Sequence, residues 1–497
     1  MNDSQIMEMI GYLTDVSGPR LTGSPNLRAA EEYTLEKLRQ WGVANAHLES
    51  WGPFGRGWSL EAFTANMLSP GFSPLIAYPK AWSAGTAGLL RGDVVWLDAK
   101  SLSDLDRYRG MLRNRIVLFS PAQTLNPLFD PPTQRQTDQE LSRLANAGPP
   151  AAGKEAPVTL TSAQRQAAEL SYRKWQMIEE EGAAVVLQPS FRDAGTLYAT
   201  AATVANPVGV PFERRRQPWD LNKPRVTPQV IVAAEQYNRM IRLLQRGIPV
   251  QVEILIKTHY YDDNPLSYNV IAEIPGTDLR DEIVMIGGCI DSWHSGTGAT
   301  DNAAGAATAL EVFRILQSVG LKPRRTIRIG LWSAEEQGAL GSRAYVAAHL
   351  AKQMDSGGDK VHYKQLDRRP EYEKFDVYFN FDFGTGRIRG LYLQGNKRAK
   401  TMLGESLAAL NDPAVKTLSL AGIGASDHMS FDEIGLPGFQ WIRDYTDGNA
   451  RAGHTNMDTY DHVQEDDLKE SAATAAFLIY DLAMRSEKVP RRSAIAN

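Results

Sequence analysis

The stretch "VMIGGCIDSWHSGTGATDNAAG", Val284 to Gly305, decides how the chain is read. It begins as an apolar run that suits a buried strand and ends, after Asp301, in an alanine-rich run of helical character. Between them lies a loop of small residues framed by two aspartates, Asp291 and Asp301. The chain's single cysteine, Cys289, stands where strand meets loop. A free Cys is often no more than a small buried apolar residue. Beside carboxylates it also has the chemistry of a metal ligand.

Working outward, the same rhythm repeats. Strands are predicted at Glu282–Gly287, Thr326–Trp332, Phe375–Phe381, Leu391–Gln394 and Gly438–Arg443. Helices are predicted at Ala303–Val319, Gln337–Leu350, Arg398–Leu410 and Glu465–Met484. This alternation implies an α/β fold: a mixed, mainly parallel central sheet with helices on both faces.

Toward the N-terminus, helices near Ser4–Val16 and Asn26–Trp41 flank the loop "GPRLTGSPN". From Gly88 to Glu253 the texture changes to short β-rich runs, "GDVVWL", "RIVLFS", "AAVVLQ" and "QVIVAA". Turn-rich segments such as "GPPAAGKEAP" separate them, and one helix, Ser162 to Gly182, interrupts them. The expected division is a discontinuous α/β domain, 1–85 and 254–497, with an inserted β-rich domain at 86–253.

Composition excludes some roles. A net charge of −4 over 497 residues leaves no basic footprint for nucleic acid. No apolar run approaches the roughly 18–20 residues of a membrane-spanning helix. "MNDSQIMEMIGYL" lacks a basic segment followed by an apolar one, so no signal peptide is visible and the compartment stays open. One cysteine precludes an intramolecular disulfide.

The acidic residues mark a site. Asp291 and Asp301 follow one strand, Glu335 and Glu336 follow "TIRIGLW", and Asp382 closes "VYFNF". His454 follows "FQWIRD" after a short loop. Open α/β sheets bind ligands outside the carboxyl ends of their strands. Taken singly, an Asp after a strand is usually a helix cap and an "EE" pair a solvated helix start. Converging on one rim, these side chains suit zinc, with cobalt or manganese as substitutes. One acid must stay off the metal to move protons, and of the adjacent pair Glu335 is placed for that while Glu336 binds.

These motifs resemble the aminopeptidase Y-type family of cocatalytic di-zinc exopeptidases, in the version carrying an inserted protease-associated domain. The resemblance spans nearly the whole chain through "GPRLTGSP", "GTGATDNAAG", "SAEEQGALGS", "NFDFGTG", "SDHMSFDEIGLPGFQ" and "HTNMDTYD". It implies a zinc-dependent exopeptidase, foremost an aminopeptidase, acting on a peptide or small amide. It also implies Asp301 as the carboxylate bridging two metals and Glu335 as general base. Glu336 and His454 would complete one metal site, and Asp382 the other.

By the same resemblance, Asp291 and Asp458 orient ligating imidazoles, and Asp427 and His428 lie near the substrate. Family members carry histidine where this chain has Cys289, which makes Cys289 the expected substitute ligand beside Asp301 and Asp382. A thiolate reaches less far than an imidazole, so one or two zinc ions are the alternatives. A single zinc would suit an amide hydrolase or a glutaminyl-cyclase-like aminoacyltransferase. Transferrin-receptor-like scaffolds share the architecture without the metal site. His294 reads as a surface-loop histidine, and the aromatics of "WGPFGRGW", Trp51 to Trp58, read as junction packing ahead of a pocket wall.

Overall fold

The structure, a computed structural model, describes residues 3–150, 160–353, 366–447 and 451–492. Most of "GPPAAGKEAP" lies outside the described residues. Two eight-stranded sheets dominate the described part. The first is built from β1 (Ala44–Trp51), β2 (Ser267–Ile274), β3 (Leu279–Cys289), β4 (Arg325–Trp332), β5 (Phe375–Asn380), β6 (Ile388–Tyr392), β7 (Thr417–Ser419) and β8 (Gly438–Arg443). Their order is β1-β2-β4-β3-β5-β8-β6-β7. The centre is parallel: β3 pairs with β4 on one side and β5 on the other, and β5 pairs with β8. Antiparallel partners, β1 and β2 at one edge and β6 toward the other, complete the mixed sheet.

The residues dictate this. The last seven residues of β3, Ile283 to Cys289, are buried, which is what a continuous apolar run requires of a strand covered on both faces. The following helix, Ala304–Val319, is buried along most of its length and packs against the helices Glu465–Met484 and Ile6–Gly11. Its small residues allow close approach. A Cβ on Gly305 would lie 2.2 Å from Asn302 Oδ1 and 2.5 Å from the Phe381 carbonyl, so the helix can begin here only with glycine. Because β4 and β5 flank β3 on opposite sides, their connections diverge and leave a crevice at the carboxyl ends.

The second sheet starts with Gly57–Ser69 and Gln251–Tyr261, which pair antiparallel from Gly57–Tyr261 to Ser69–Gln251. Its parallel centre is Leu90–Trp96, Ile116–Leu118, Val185–Pro189 and Gln229–Val232, the four β-rich runs of the sequence. Beside the expected helix, seen at Ser162–Glu181, two more occur at Asp138–Ala145 and Ala234–Gln245. The first buries only Leu141, and the second has no side-chain cap, so each lacks a signal that sequence reading relies on.

Phe54 and Trp58 are buried in one cluster with Trp82, Trp219 and Trp293, so "WGPFGRGW" packs the junction between the two sheets. His294 departs from expectation. It is 4% exposed, with Nε2 2.7 Å from the Pro79 carbonyl and its ring edge-on to Trp58. Burial lowers its pKa to about 4, so it is a neutral core histidine. No helix among the described residues is long and apolar enough to cross a membrane.

Candidate metal centre

Four strand ends bring the acidic residues together. Cys289 ends β3, Glu335 and Glu336 follow β4, Asp382 follows β5, and His454 lies beyond β8. Two groups form, in each of which the possible ligand atoms lie within 4.8 Å of one another: Asp301, Glu336 and His454, and Cys289, Glu335 and Asp382. His454 Nε2 is 3.0 Å from Asp301 Oδ2 and 3.0 Å from Glu336 Oε2. They line a cleft of about 690 Å³, together with Glu335, Asp382 and Ser426.

The surroundings hold these groups in place. The loop ahead of Asp301 is fixed by Asp458, whose Oδ1 accepts from the Thr300 amide (2.6 Å) and hydroxyl (2.7 Å). Asp291 accepts from the amides of Glu335 (3.1 Å) and Glu336 (3.4 Å) and from the Thr22 hydroxyl (3.0 Å). Thus both carboxylates expected to orient an imidazole hold backbone instead. Asp382 accepts from Ser426 (2.5 Å) and from the amide of Phe383 (2.7 Å). Asp427 and His428 are fully buried, with His428 Nε2 2.9 Å from the Ile423 carbonyl.

Some contributors carry little sequence signal. Asn302 donates to the Phe381 carbonyl (2.7 Å) and to Cys289 Sγ (3.2 Å), tying the ends of β3 and β5 to the helix start. Arg20 is fully buried and donates to the carbonyls of Ile290 (2.7 Å), Leu13 (2.9 Å), Thr297 (2.8 Å) and Gly298 (2.8 Å). Tyr198, from the second-sheet region, places its hydroxyl 2.8 Å from His454 Nδ1. The nearest sequence cues were "TDN" for Asn302 and "GPRLTG" for Arg20 and Thr22.

Electrostatically the site is strained by its own acids. Burial, then the charges of Asp382, Asp427 and Glu336, hold the Glu335 carboxyl well above its usual range. Burial raises Glu336 to about 8, Asp382 to about 7, Asp458 to about 7 and Asp291 to about 6. Burial alone would lower the His454 pKa, but Glu336 and Asp301 outweigh it and raise it. Burial and the neighbouring acids also push the Cys289 thiol up. Glu336 Oε1 is buried with no hydrogen-bond partner. Concentrated acids with an unspent buried oxygen leave room for a further positive charge beside His454, and two carboxylates with one imidazole are a donor set zinc accepts.

Known proteins share this fold. Residues 269–479 match peptidase family M28. The chain is 26% identical over 486 residues to carboxypeptidase Q of Mus musculus, covering 97% of this chain and 87% of that protein. Among solved structures it is similar to a peptidase M28 precursor from Shewanella amazonensis SB2B, with a TM-score of 0.66, 22% identity, and coverage of 98% of this chain and 95% of that one. It is also similar to a zinc aminopeptidase from Bacillus subtilis, with a TM-score of 0.56, 17% identity, and coverage of 99% and 96%. All of the candidate ligands and neighbouring acids lie within 269–479, the stretch that matches the model of peptidase family M28.

Proposed function

We propose that this protein is a zinc-dependent exopeptidase, acting as an aminopeptidase, with Glu335 as general base. The observation that carries the reading is the trio Asp301, Glu336 and His454, whose ligand atoms lie within 4.8 Å at the sheet's switch point. These three would hold one zinc, and Asp382 with Cys289 would serve a second beside Asp301. Zinc, when bound, supplies a Lewis acid that polarises the scissile carbonyl and acidifies water.

The chain's own residues do the rest. Glu335, held on a backbone amide fixed by Asp291, accepts the attacking water's proton on its carboxylate. It then passes that proton to the leaving amine. The acid-rich cleft favours a substrate's free ammonium over a free carboxylate. Arg343, the cation at its mouth, is already bonded bidentately to Glu433 (2.6 and 2.9 Å).

Chelation is expected to abolish hydrolysis of aminoacyl anilides, zinc to restore it, and N-acetylated analogues to resist cleavage throughout. Activity that survives complete zinc removal overturns the reading. Chelation also changes how stability depends on pH. Glu336 and Asp382 hold their protons to about 8 and about 7 in the folded chain, against ordinary values of 4.5 and 3.8. The folded state therefore binds more protons than the unfolded state across that window, and stability falls as pH rises through it. The Tm of stripped protein should drop between about pH 4 and pH 8, and the gain in Tm on adding zinc should grow over the same range.

A single zinc is the second reading, favoured by Cys289. Its thiol is fully buried, pushed toward the protonated form and engaged by Asn302. Cys289→His should then raise bound zinc from one equivalent to two, counted by metal analysis, and speed anilide hydrolysis. Unchanged stoichiometry would show that Cys289 already serves as a ligand, or that the second position is not used.

A further inference from the structure

We propose that Tyr198, a residue of the second-sheet region, is the positioning residue for the metal-binding imidazole of His454. The inference rests on the zinc reading above and deepens it. It starts from the backbone. The segment Leu197–Ala199 runs antiparallel to His454–Asn456 and is bonded to it three times. The Leu197 amide donates to Asn456 Oδ1 (2.7 Å), the Asn456 amide to the Leu197 carbonyl (3.1 Å), and the Ala199 amide to the His454 carbonyl (3.2 Å). His454 has a φ of 60°, a left-handed conformation uncommon for a residue with a side chain. Bonds at its own carbonyl and at Asn456 form a clasp that keeps that backbone in place.

Tyr198 sits in the middle of the clasp. Its hydroxyl lies 2.8 Å from Nδ1, and its ring packs 5.5 Å from the imidazole and 4.3 Å from Phe191. Trp293 also packs near the imidazole, 6.2 Å away and edge-on. The ring is thus packed by two aromatics, and its Nδ1 is engaged by one hydroxyl.

The tautomer decides binding. Nε2 faces Asp301 and Glu336, so Nε2 is the nitrogen that must offer a lone pair to zinc. The proton then belongs on Nδ1, and an N–H there needs an acceptor. Neither Asp291 nor Asp458 provides it, because both hold backbone. The Tyr198 oxygen does. A hydroxyl also serves the metal-free state, since it can donate as well as accept. The same contact therefore persists whichever nitrogen carries the proton.

Tyr198→Phe keeps the ring contacts and all three bonds of the clasp and removes only the hydroxyl. Zinc affinity, measured by competition with a chromophoric chelator, is expected to fall by about 10- to 100-fold. The Tm of the stripped variant should match that of stripped wild type. The imidazole nitrogen resonances of zinc-loaded protein should show Nδ1–H in wild type and a mixture or weaker bonding in the variant. Tyr198→Ala separates packing from hydrogen bonding. If Phe binds zinc as wild type does and only Ala loses affinity, Tyr198 merely packs and the inference is overturned. If wild type itself takes up no zinc, the functional reading fails and carries the inference with it.

Discussion

A Glu335→Gln variant is expected to lose about 10²–10⁴-fold in kcat while keeping its zinc. The carboxamide has nearly the same shape as the carboxyl and leaves Asp301, Glu336 and His454 untouched. It cannot accept a proton from water or deliver one to the departing amine. Substrate binding does not depend on that proton, so KM should change little. Misfolding is separable from the chemical effect. Glu335 is half-buried at the cleft among Asp382, Asp427, Glu336 and Asp291, which all oppose its ionisation. An uncharged amide adds no repulsion among them, so the Tm should hold. A variant with wild-type kcat would take Glu335 out of the proton-transfer role.

The second large effect is expected at Arg20, through stability. Its guanidinium satisfies the carbonyls of Leu13, Ile290, Thr297 and Gly298 in a space from which water is excluded. Three of those carbonyls belong to the loop between β3 and Asp301. Arg20→Ala leaves several buried acceptors unpaired and should cost at least about 3 kcal/mol, read as a lower denaturation midpoint. Arg20→Lys should recover only part of this, because an ammonium offers three donors and no planar fork. Burial brings the Arg20 pKa down to about 10, although the charges of Asp458 and Asp291 act to raise it. If Arg20→Ala unfolds with the wild-type midpoint, water or relaxation replaces those bonds.

What the sequence made legible and what it hid have different physical origins. The β3–loop–helix unit was readable because each part is local: a buried strand writes itself as a continuous apolar run and a helix as an Ala-rich periodic one. Acids at strand ends were readable for the same reason, since strand direction alone puts them on one rim. Boundaries moved by a few residues, as with the helix expected from Gln337 and found at Leu340–His349. The strand Gly57–Ser69 escaped notice because its burial does not alternate cleanly, leaving no period-two pattern to detect. His294 looked exposed in a Gly/Ser loop, and its burial comes from Trp58, Tyr78 and Pro79, far away along the chain.

At the site, the hidden residues are those acting over long sequence separations. Arg20 and Thr22 meet their partners about 270 residues away, and Tyr198 meets His454 across 256. No periodicity encodes such pairings. Asn302 is an intermediate case: its neighbourhood was read, but its bonds to Phe381 and Cys289 depend on β3 and β5 being adjacent.

The clasp between Leu197–Ala199 and His454–Asn456 also bears on inheritance. Two stretches of the gene product answer to one another, so a chimaera given only a foreign second-sheet region would receive the wrong counterpart for its histidine loop. Exchange between relatives has to move both halves together, or supply a hydroxyl at the matching place.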